Sequence, residues 1–576
     1  MLARAWRNRI AGLAQWAATV GAWVDSSFVS RSLGKTGAVL GAALATSVPA
    51  RVLWWDRWAG QMAAARRAAG TAARPSARRA PRWAAVPAIV AGVRSTLAAA
   101  LVASLPARLW RWVTSVTERD GIGRSLTVQL LFWYYRERSR AEDGRAPAVA
   151  VAAATAETRP TAVAAATLTV EEGALQLLRD WTVLSLHMLI WLLPVVNATR
   201  LMVLAALVVS LMSARVLMGE RVRGSTLAVP FAAYLAMSVL ATLASVHPTG
   251  SLRDLAIVVG SGGVLFAIMN LKDRRDWYGL LASTAAVATL VAAYGLYQAI
   301  RGVNVLSMHW LDPKTNPGLT TRVFSTFGNP NILAEYLLLV VPAVVGLLWS
   351  ERHGLKRLLF LGVVAVTGLC MVLTFSRGAW LGTGLAVLVF LAIMEARVLL
   401  VVPIVAIGSY FFLPSVIHAR LASIVNLQDA SNAYRMNIWI AALHMIRDYW
   451  VTGVGFGYRS FMLVYQDYKL RAQIAFHSHN QYLEQFVELG IMGLALFIWL
   501  MLRVVAAGGP ALRRIGRVRA DPRLRAVVAG CVASVAGVLF YGIFENIFYL
   551  PTVILTFWVT AGLGAAAGLM AADDKI

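Results

Sequence analysis

From Trp181 onward the chain repeats long apolar runs, each close to the twenty residues that a helix needs to cross about 30 Å of hydrocarbon. No other feature restricts the fold so strongly. A soluble domain would have to bury all of these runs behind a polar shell, and the residues for such a shell are missing. The chain is 59% hydrophobic and only 14% charged, against roughly 25% charged in soluble domains. Lipid must therefore cover the apolar surface. The expected fold is an all-α polytopic membrane protein of about twelve spans, at 183–197, 199–217, 227–246, 252–270, 277–300, 331–349, 356–375, 378–395, 397–413, 483–503, 526–546 and 548–570. Pro194 and Asn197 allow the first two to form one kinked hairpin.

Basic residues orient these spans. With the N-terminal side cytoplasmic, the inside loops include Arg215–Arg223, Lys272–Arg275, Arg352–Arg357 and Arg503–Arg525, the last with seven arginines. The short outside loops near 198, 248, 376 and 547 are almost free of them, which is the positive-inside bias. Shifting the count by one helix would reverse it. Both termini are thus expected in the cytoplasm.

Residues 1–180 form a separate region in this reading. Tryptophans and leucines alternate with arginines at helical spacing in Arg51–Gly70, as in a segment lying in the membrane interface with its arginines on anionic lipids. A poorly ordered tail fits equally well. The stretch Glu142–Thr169, nearly all Ala, Val, Thr and Pro, reads as a linker. The net charge of +26 needs anionic partners. The cytoplasmic leaflet and an anionic ligand qualify, whereas nucleic acid is not expected, because no recognition motif accompanies the arginines. The basic start, MLARAWRNRI, leads into no clean apolar stretch with a cleavage site, so no removable signal peptide is expected. Cys370 and Cys531 both fall in apolar runs, so no disulfide framework is expected.

Two outside segments, Arg301–Pro330 and Pro414–Tyr482, are too long to be plain connections. In the second, Ile438, Ala442, Met445 and Ile446 share one face of an expected amphipathic helix, followed by the turn Gly453-Val-Gly-Phe-Gly457. Polar residues collect at this level: Arg322 with Gly328-Asn-Pro-Asn331, Arg377 in Thr374-Phe-Ser-Arg-Gly378, Arg435 on the loop helix, and His477 and His479 before the next span. Ionisable groups at a membrane edge are costly and usually face a cavity or a partner. Arginine suits phosphate, binding two oxygens at once, and a neutral histidine can take a proton from a hydroxyl. Glycosyl transfer from a lipid diphosphate needs that combination. Each residue also has a plainer role open to it. Arg377 can snorkel to headgroups, Arg435 can be a solvated face, and Asn480 and Asn331 can be helix caps. The histidines can hold a metal, but their i, i+2 spacing comes with no obvious third ligand.

Together these residues resemble the O-antigen ligase and polymerase superfamily of membrane glycosyltransferases. The most specific match is His479-Asn480, nine residues, Gly490, two residues, Gly493. Ser376-Arg377-Gly378, Arg435 ahead of Trp439, Gly453-Val-Gly455, the outer loop 414–482 and the span count agree with it. The likeness runs from about Trp181 to Met570 and leaves residues 1–180 outside. It implies a GT-C-like helical core and transfer of a glycan from an undecaprenyl-diphosphate carrier to a glycan, lipid or protein acceptor. The reaction would occur on the outer side of the bacterial cytoplasmic (inner) membrane, with inversion and with no metal or cofactor. His479 would be the general base, and Arg377 and Arg435 would hold the diphosphate. Arg322 and His477 join them by position alone, and Gly490 and Gly493 would allow close helix packing. The long basic extension departs from a typical ligase and leaves the acceptor open. A transporter or flippase of a lipid-linked anionic glycan, acting without chemistry, is the alternative.

Overall fold

A computed structural model describes residues 160–223, 226–302, 322–424, 430–471, 474–517 and 522–573, and every regular element among them is helical. The expectations for 1–159, and most of the segment Arg301–Pro330, lie outside these residues. In chain order the helices are α1 (Pro160–Leu192), α2 (Ala198–Leu217), α3 (Ala228–Leu243), α4 (Pro248–Met269), α5 (Arg274–Arg301), α6 (Pro330–Ser350), α7 (Gly354–Leu373) and α8 (Arg377–Met394). They continue as α9 (Val402–Tyr410), α10 (Ser415–Ala422), α11 (Ala430–Tyr449), α12 (Tyr458–Tyr468), α13 (Gln481–Arg517), α14 (Pro522–Tyr541) and α15 (Pro551–Asp573).

Nine of these helices (α2, α4 to α8 and α13 to α15) are long and apolar enough to cross a membrane, and the bent pair α9–α10 would make ten. The expectation of about twelve exceeds this at three places. The run 183–197 becomes the end of α1, which starts at Pro160 inside the expected linker and stops ahead of Pro194. An Ala-rich sequence that reads as a spacer is also a good helix former. The run 227–246 yields a helix of only 16 residues, α3. The run 397–413 is broken: a 3₁₀ turn (Ala396–Leu400) precedes the nine-residue α9, and the chain then bends by 118° into α10 at Pro414. This stretch still returns the chain across the fold. It leaves α8 at Met394, yet Arg420 bonds the Phe375 carbonyl beside the opposite end of α8.

Helix starts follow the polar punctuation. Asn197, His247, Asp273 and Asn329 each accept a backbone N–H of the first turn, and Pro248 and Pro330 occupy first-turn positions that need no donor. Asn480 caps α13 through Tyr482 N (2.9 Å) and Leu483 N (3.0 Å). Asn331 does not cap α6. Asn329 does, and the Asn331 side chain is turned elsewhere.

The centre is α6, α14 and α15, whose apolar windows are the most enclosed, whereas α7 is peripheral. Glycine lets these helices touch backbone to backbone. A Cβ at Gly530 would lie 2.2 Å from the Pro342 carbonyl, and one at Gly382 would lie 2.8 Å from the Gly537 carbonyl. Trp277 on α5 donates to the Leu563 carbonyl of α15 at 2.9 Å. At the end of the bundle away from the histidines, buried Arg215 holds Glu220 at 2.7 Å, and Arg179 and Lys272 approach the same carboxylate. Burial there opposes the charge of Glu220, but the hydrogen bond and charge of Arg215 outweigh it and keep the carboxyl below its ordinary range.

Candidate active site

At the other end, the described parts of 415–480 pack by the starts of α8 and α13. Its amphipathic helix, α11, buries Ile438, Ala442, Met445 and Ile446 in a small core with Phe461, Tyr465 and Val487. The glycine turn then crosses α13 at a kink. Gly490 has φ of +69°, Ile491 N donates to the Trp450 carbonyl at 2.8 Å, and Val454 N donates to the Val487 carbonyl at 2.9 Å. Cβ atoms at Gly490 and Gly453 would lie 2.2 Å from Val451 O and 2.3 Å from Glu488 O. The glycine of the motif thus admits a loop against a helix, where the family likeness suggested helix against helix.

This crossing anchors the histidine turn. Ser478 N donates to Glu484 Oε2 at 2.6 Å, and His479 takes a left-handed φ of +51°. Among the described residues only Ser325, Phe375 and His479 show positive φ without being glycine. All three flank site residues. Such conformations cost about 1–3 kcal/mol each and persist where surrounding bonds over-determine them. The turn at Phe375 shows what the strain achieves. Consecutive carbonyls point at different arginines, Thr374 O accepting from Arg322 Nε (2.8 Å) and Phe375 O from Arg420 Nε (3.1 Å).

Four guanidiniums therefore converge. Arg322 is buried and also donates to Asn331 Oδ1 at 3.0 Å. Arg377, at the start of α8, donates to Ser423 O (2.7 Å), Ser423 Oγ (3.0 Å) and Asn432 Oδ1 (3.2 Å). Arg435 donates to Glu545 Oε2 at 3.2 Å. Most of these acceptors are neutral, so they aim the cations without cancelling their charge. Burial first, then the positive charge of Arg420 and less strongly of Arg377 and Arg435, pushes Arg322 down to about 9, with Tyr541 acting in the opposite sense. It remains protonated at neutral pH.

Glu545, between α14 and α15, joins the arginines to the histidines. It is 6% exposed, and its Oε1 accepts from His479 Nδ1 at 2.5 Å. Burial alone would favour the acid form. The charge and hydrogen bond of His479, with Arg435 and His477, outweigh burial and hold the carboxyl well below the ordinary range. A carboxylate accepts only, so the proton between them sits on His479 Nδ1, and in the neutral imidazole the lone pair is on Nε2. His477 stacks on His479 (centroids 4.2 Å) and on Tyr549 (4.5 Å). Burial, and then the charge of His479, depress it to about 3, so it is neutral at physiological pH and supplies no cation. Its Nδ1 receives the His479 N–H at 3.2 Å.

The structure thus places all five expected residues at one end of the bundle and adds two, Arg420 and Glu545. Each had a faint signal. Glu545 is a lone acid inside Phe-Tyr-Gly-Ile-Phe-Glu-Asn-Ile-Phe-Tyr, where an ionisable group is costly unless partnered. Arg420 follows a proline that ends an apolar run. Glu545 also supplies the third ligand that the histidine spacing lacked. Donor atoms of His477, His479 and Glu545 all lie within 4.8 Å of one another, a set that could hold a transition-metal ion.

Fold and site define a multi-pass helical membrane protein with a cluster of arginines beside a carboxylate-oriented histidine. Residues 360–498 match the model of the O-antigen ligase family, which supports the resemblance to the O-antigen ligase and polymerase superfamily. The match contains Arg377, Arg420, Arg435, His477 and His479, with Arg322 before it and Glu545 after it. No curated protein matches the chain.

Proposed function

We propose that the protein is an inverting membrane glycosyltransferase that takes a glycan from undecaprenyl diphosphate and joins it to an acceptor hydroxyl. The His479–Glu545 hydrogen bond beside the cluster Arg322, Arg377, Arg420 and Arg435 carries this reading. His479 Nε2 removes the acceptor's proton as its oxygen attacks the anomeric carbon. The bond from that carbon to the diphosphate breaks, and its electron pair leaves with undecaprenyl diphosphate. One displacement inverts the centre. The arginines neutralise the charge that grows on the leaving oxygen, a task for which preorganised cations in low dielectric are suited. They also take the place of a metal ion. In a GT-C-like arrangement the site faces the outer side of the bacterial cytoplasmic membrane, with Arg215–Arg223 and Arg503–Arg525 in the cytoplasm. Anionic lipids are the partners of the basic region 1–180.

The test is transfer in proteoliposomes with undecaprenyl-diphosphate-linked glycan from the source cell, with and without EDTA. Wild type should form product in EDTA, whereas His479→Ala should bind donor and form none. An active His479→Ala protein refutes the role of the base, and activity lost in EDTA and restored by a divalent ion moves the site to metal chemistry.

A further inference from the structure

Beside the histidine turn lies a cavity of about 60 Å³, walled in part by α4, α13 and the loop from Asn546 to Tyr549. It is acidic. Asp254, Glu484 and Glu488 line it, Glu484 and Glu488 being 1% and 5% exposed. Glu484 Oε1 and Asp254 Oδ2 are buried there with no hydrogen-bond partner. Such acceptors are rare in folded proteins and call for a donor. Exposed Arg253 and Arg459 act on Asp254 from the rim. The groups acting on Glu484 and Glu488 are each other, Asp254, Ser478 and the Gly457 backbone, and none of these is a cation. Aromatic rings, Tyr234, Phe456, Tyr458, Phe548, Tyr549 and Trp558, form much of the remaining wall. Tyr549 packs edge-on to Tyr458 (5.7 Å) and also meets His477 (4.5 Å), so the cavity and the histidine turn share that ring.

We infer that this cavity is an acceptor subsite that takes a protonated primary amine. The inference rests on the proposed transferase reading. An ammonium group brings donors to Asp254 Oδ2 and Glu484 Oε1, which have none, and a positive charge to Glu484 and Glu488, which no cation faces. The cavity is large enough for an ammonium group and the carbon that bears it. Bound there, the rest of the acceptor extends past Tyr549 toward His479. A bare metal ion fits less well. Among the described residues the acid and histidine donors that converge within 4.8 Å are His477, His479 and Glu545, not these three carboxylates.

The experiment titrates the full chain in nanodiscs with D-glucosamine, N-acetyl-D-glucosamine, n-butylamine and calcium chloride, reading binding by calorimetry. Glucosamine or butylamine should bind at least tenfold more tightly than N-acetylglucosamine, with the preference between the two telling an amino sugar from a lysine side chain. Glu484→Gln and Glu488→Gln should each weaken amine binding at least tenfold, and Arg377→Ala should leave it unchanged. Equal binding of glucosamine and its N-acetyl form, or calcium binding without amine binding, overturns the inference. So does unaltered amine binding in both folded glutamine variants. Because no transfer is read, this failure is distinct from failure of His479 as the base.

Discussion

Replacing Glu545 with glutamine isolates the orientation of the base. The side chain keeps its shape but loses the charge that accepts from His479 Nδ1 at 2.5 Å and from Arg435 at 3.2 Å. A glutamine amide can instead donate to Nδ1, which places the imidazole proton on Nε2, where the acceptor hydroxyl must deliver its own. The variant thus loses most of the general-base contribution, about 10²–10⁴ in rate, or roughly 3–5 kcal/mol. Donor binding suffers less, because Arg322, Arg377 and Arg420 keep the bonds that aim them. Single-turnover transfer in proteoliposomes, with donor binding measured separately, is the appropriate assay. We expect turnover to fall at least a hundredfold while donor affinity changes by less than about tenfold. A Glu545→Gln enzyme within threefold of wild-type turnover would refute the argument that the carboxylate sets the tautomer.

Three further outcomes follow from the same geometry. Arg420→Ala removes one of four cations from the donor pocket and should raise the donor KM at least tenfold in steady-state transfer; an unchanged KM would remove Arg420 from the site. Gly490→Ala forces a Cβ to within 2.2 Å of the Val451 carbonyl at a left-handed φ, and should cost about 1–3 kcal/mol. Lower thermal stability in detergent, together with reduced transfer as the histidine turn shifts, would report it. Glu220→Gln leaves buried Arg215 without its carboxylate, a loss of order 3–5 kcal/mol at neutral pH. Because the folded-state carboxyl titrates below its ordinary value of 4.5, its stabilisation is complete above about pH 4.5 and fades as the pH falls through the lowered value. Melting curves of variant and wild type should therefore converge on acidification, and a gap that widens would reverse the assigned sign.

How far the sequence discloses this architecture depends on the kind of information each element needs. Apolar length is local, so nine helices lie where the runs predict them. The run 397–413 shows the limit. Its composition suits a span, but the break at Pro414 and the pull of Arg420 back to Phe375 are tertiary facts. The amphipathic face of α11 is legible because helical periodicity marks it, as its buried Ile438, Ala442 and Met445 show. Glu545 is not legible as a partner of His479. The two stand 66 residues apart, and only the packing of α13 against α14 and α15 joins them. The left-handed turns at Ser325, Phe375 and His479 carry no sequence mark, because none uses the glycine that would announce one.

The division between the family segment and the rest of the chain has chemical meaning. Residues 360–498 contain the histidine and three of the four arginines, which are the groups that would touch donor and acceptor. Arg322 and Glu545 lie outside that segment and act on the groups within it. Arg322 adds a buried cation fixed by the carbonyl before the strained Phe375, so the shape of that turn also sets the density of positive charge. Glu545 accepts from both His479 and Arg435, so in the proposed mechanism the base and one diphosphate ligand would move as a unit. On that reading, a change in donor position that drags Arg435 would also turn His479. Leaving-group binding and proton removal become coupled through one buried carboxylate, which would restrain the base from acting until a diphosphate occupies the arginines.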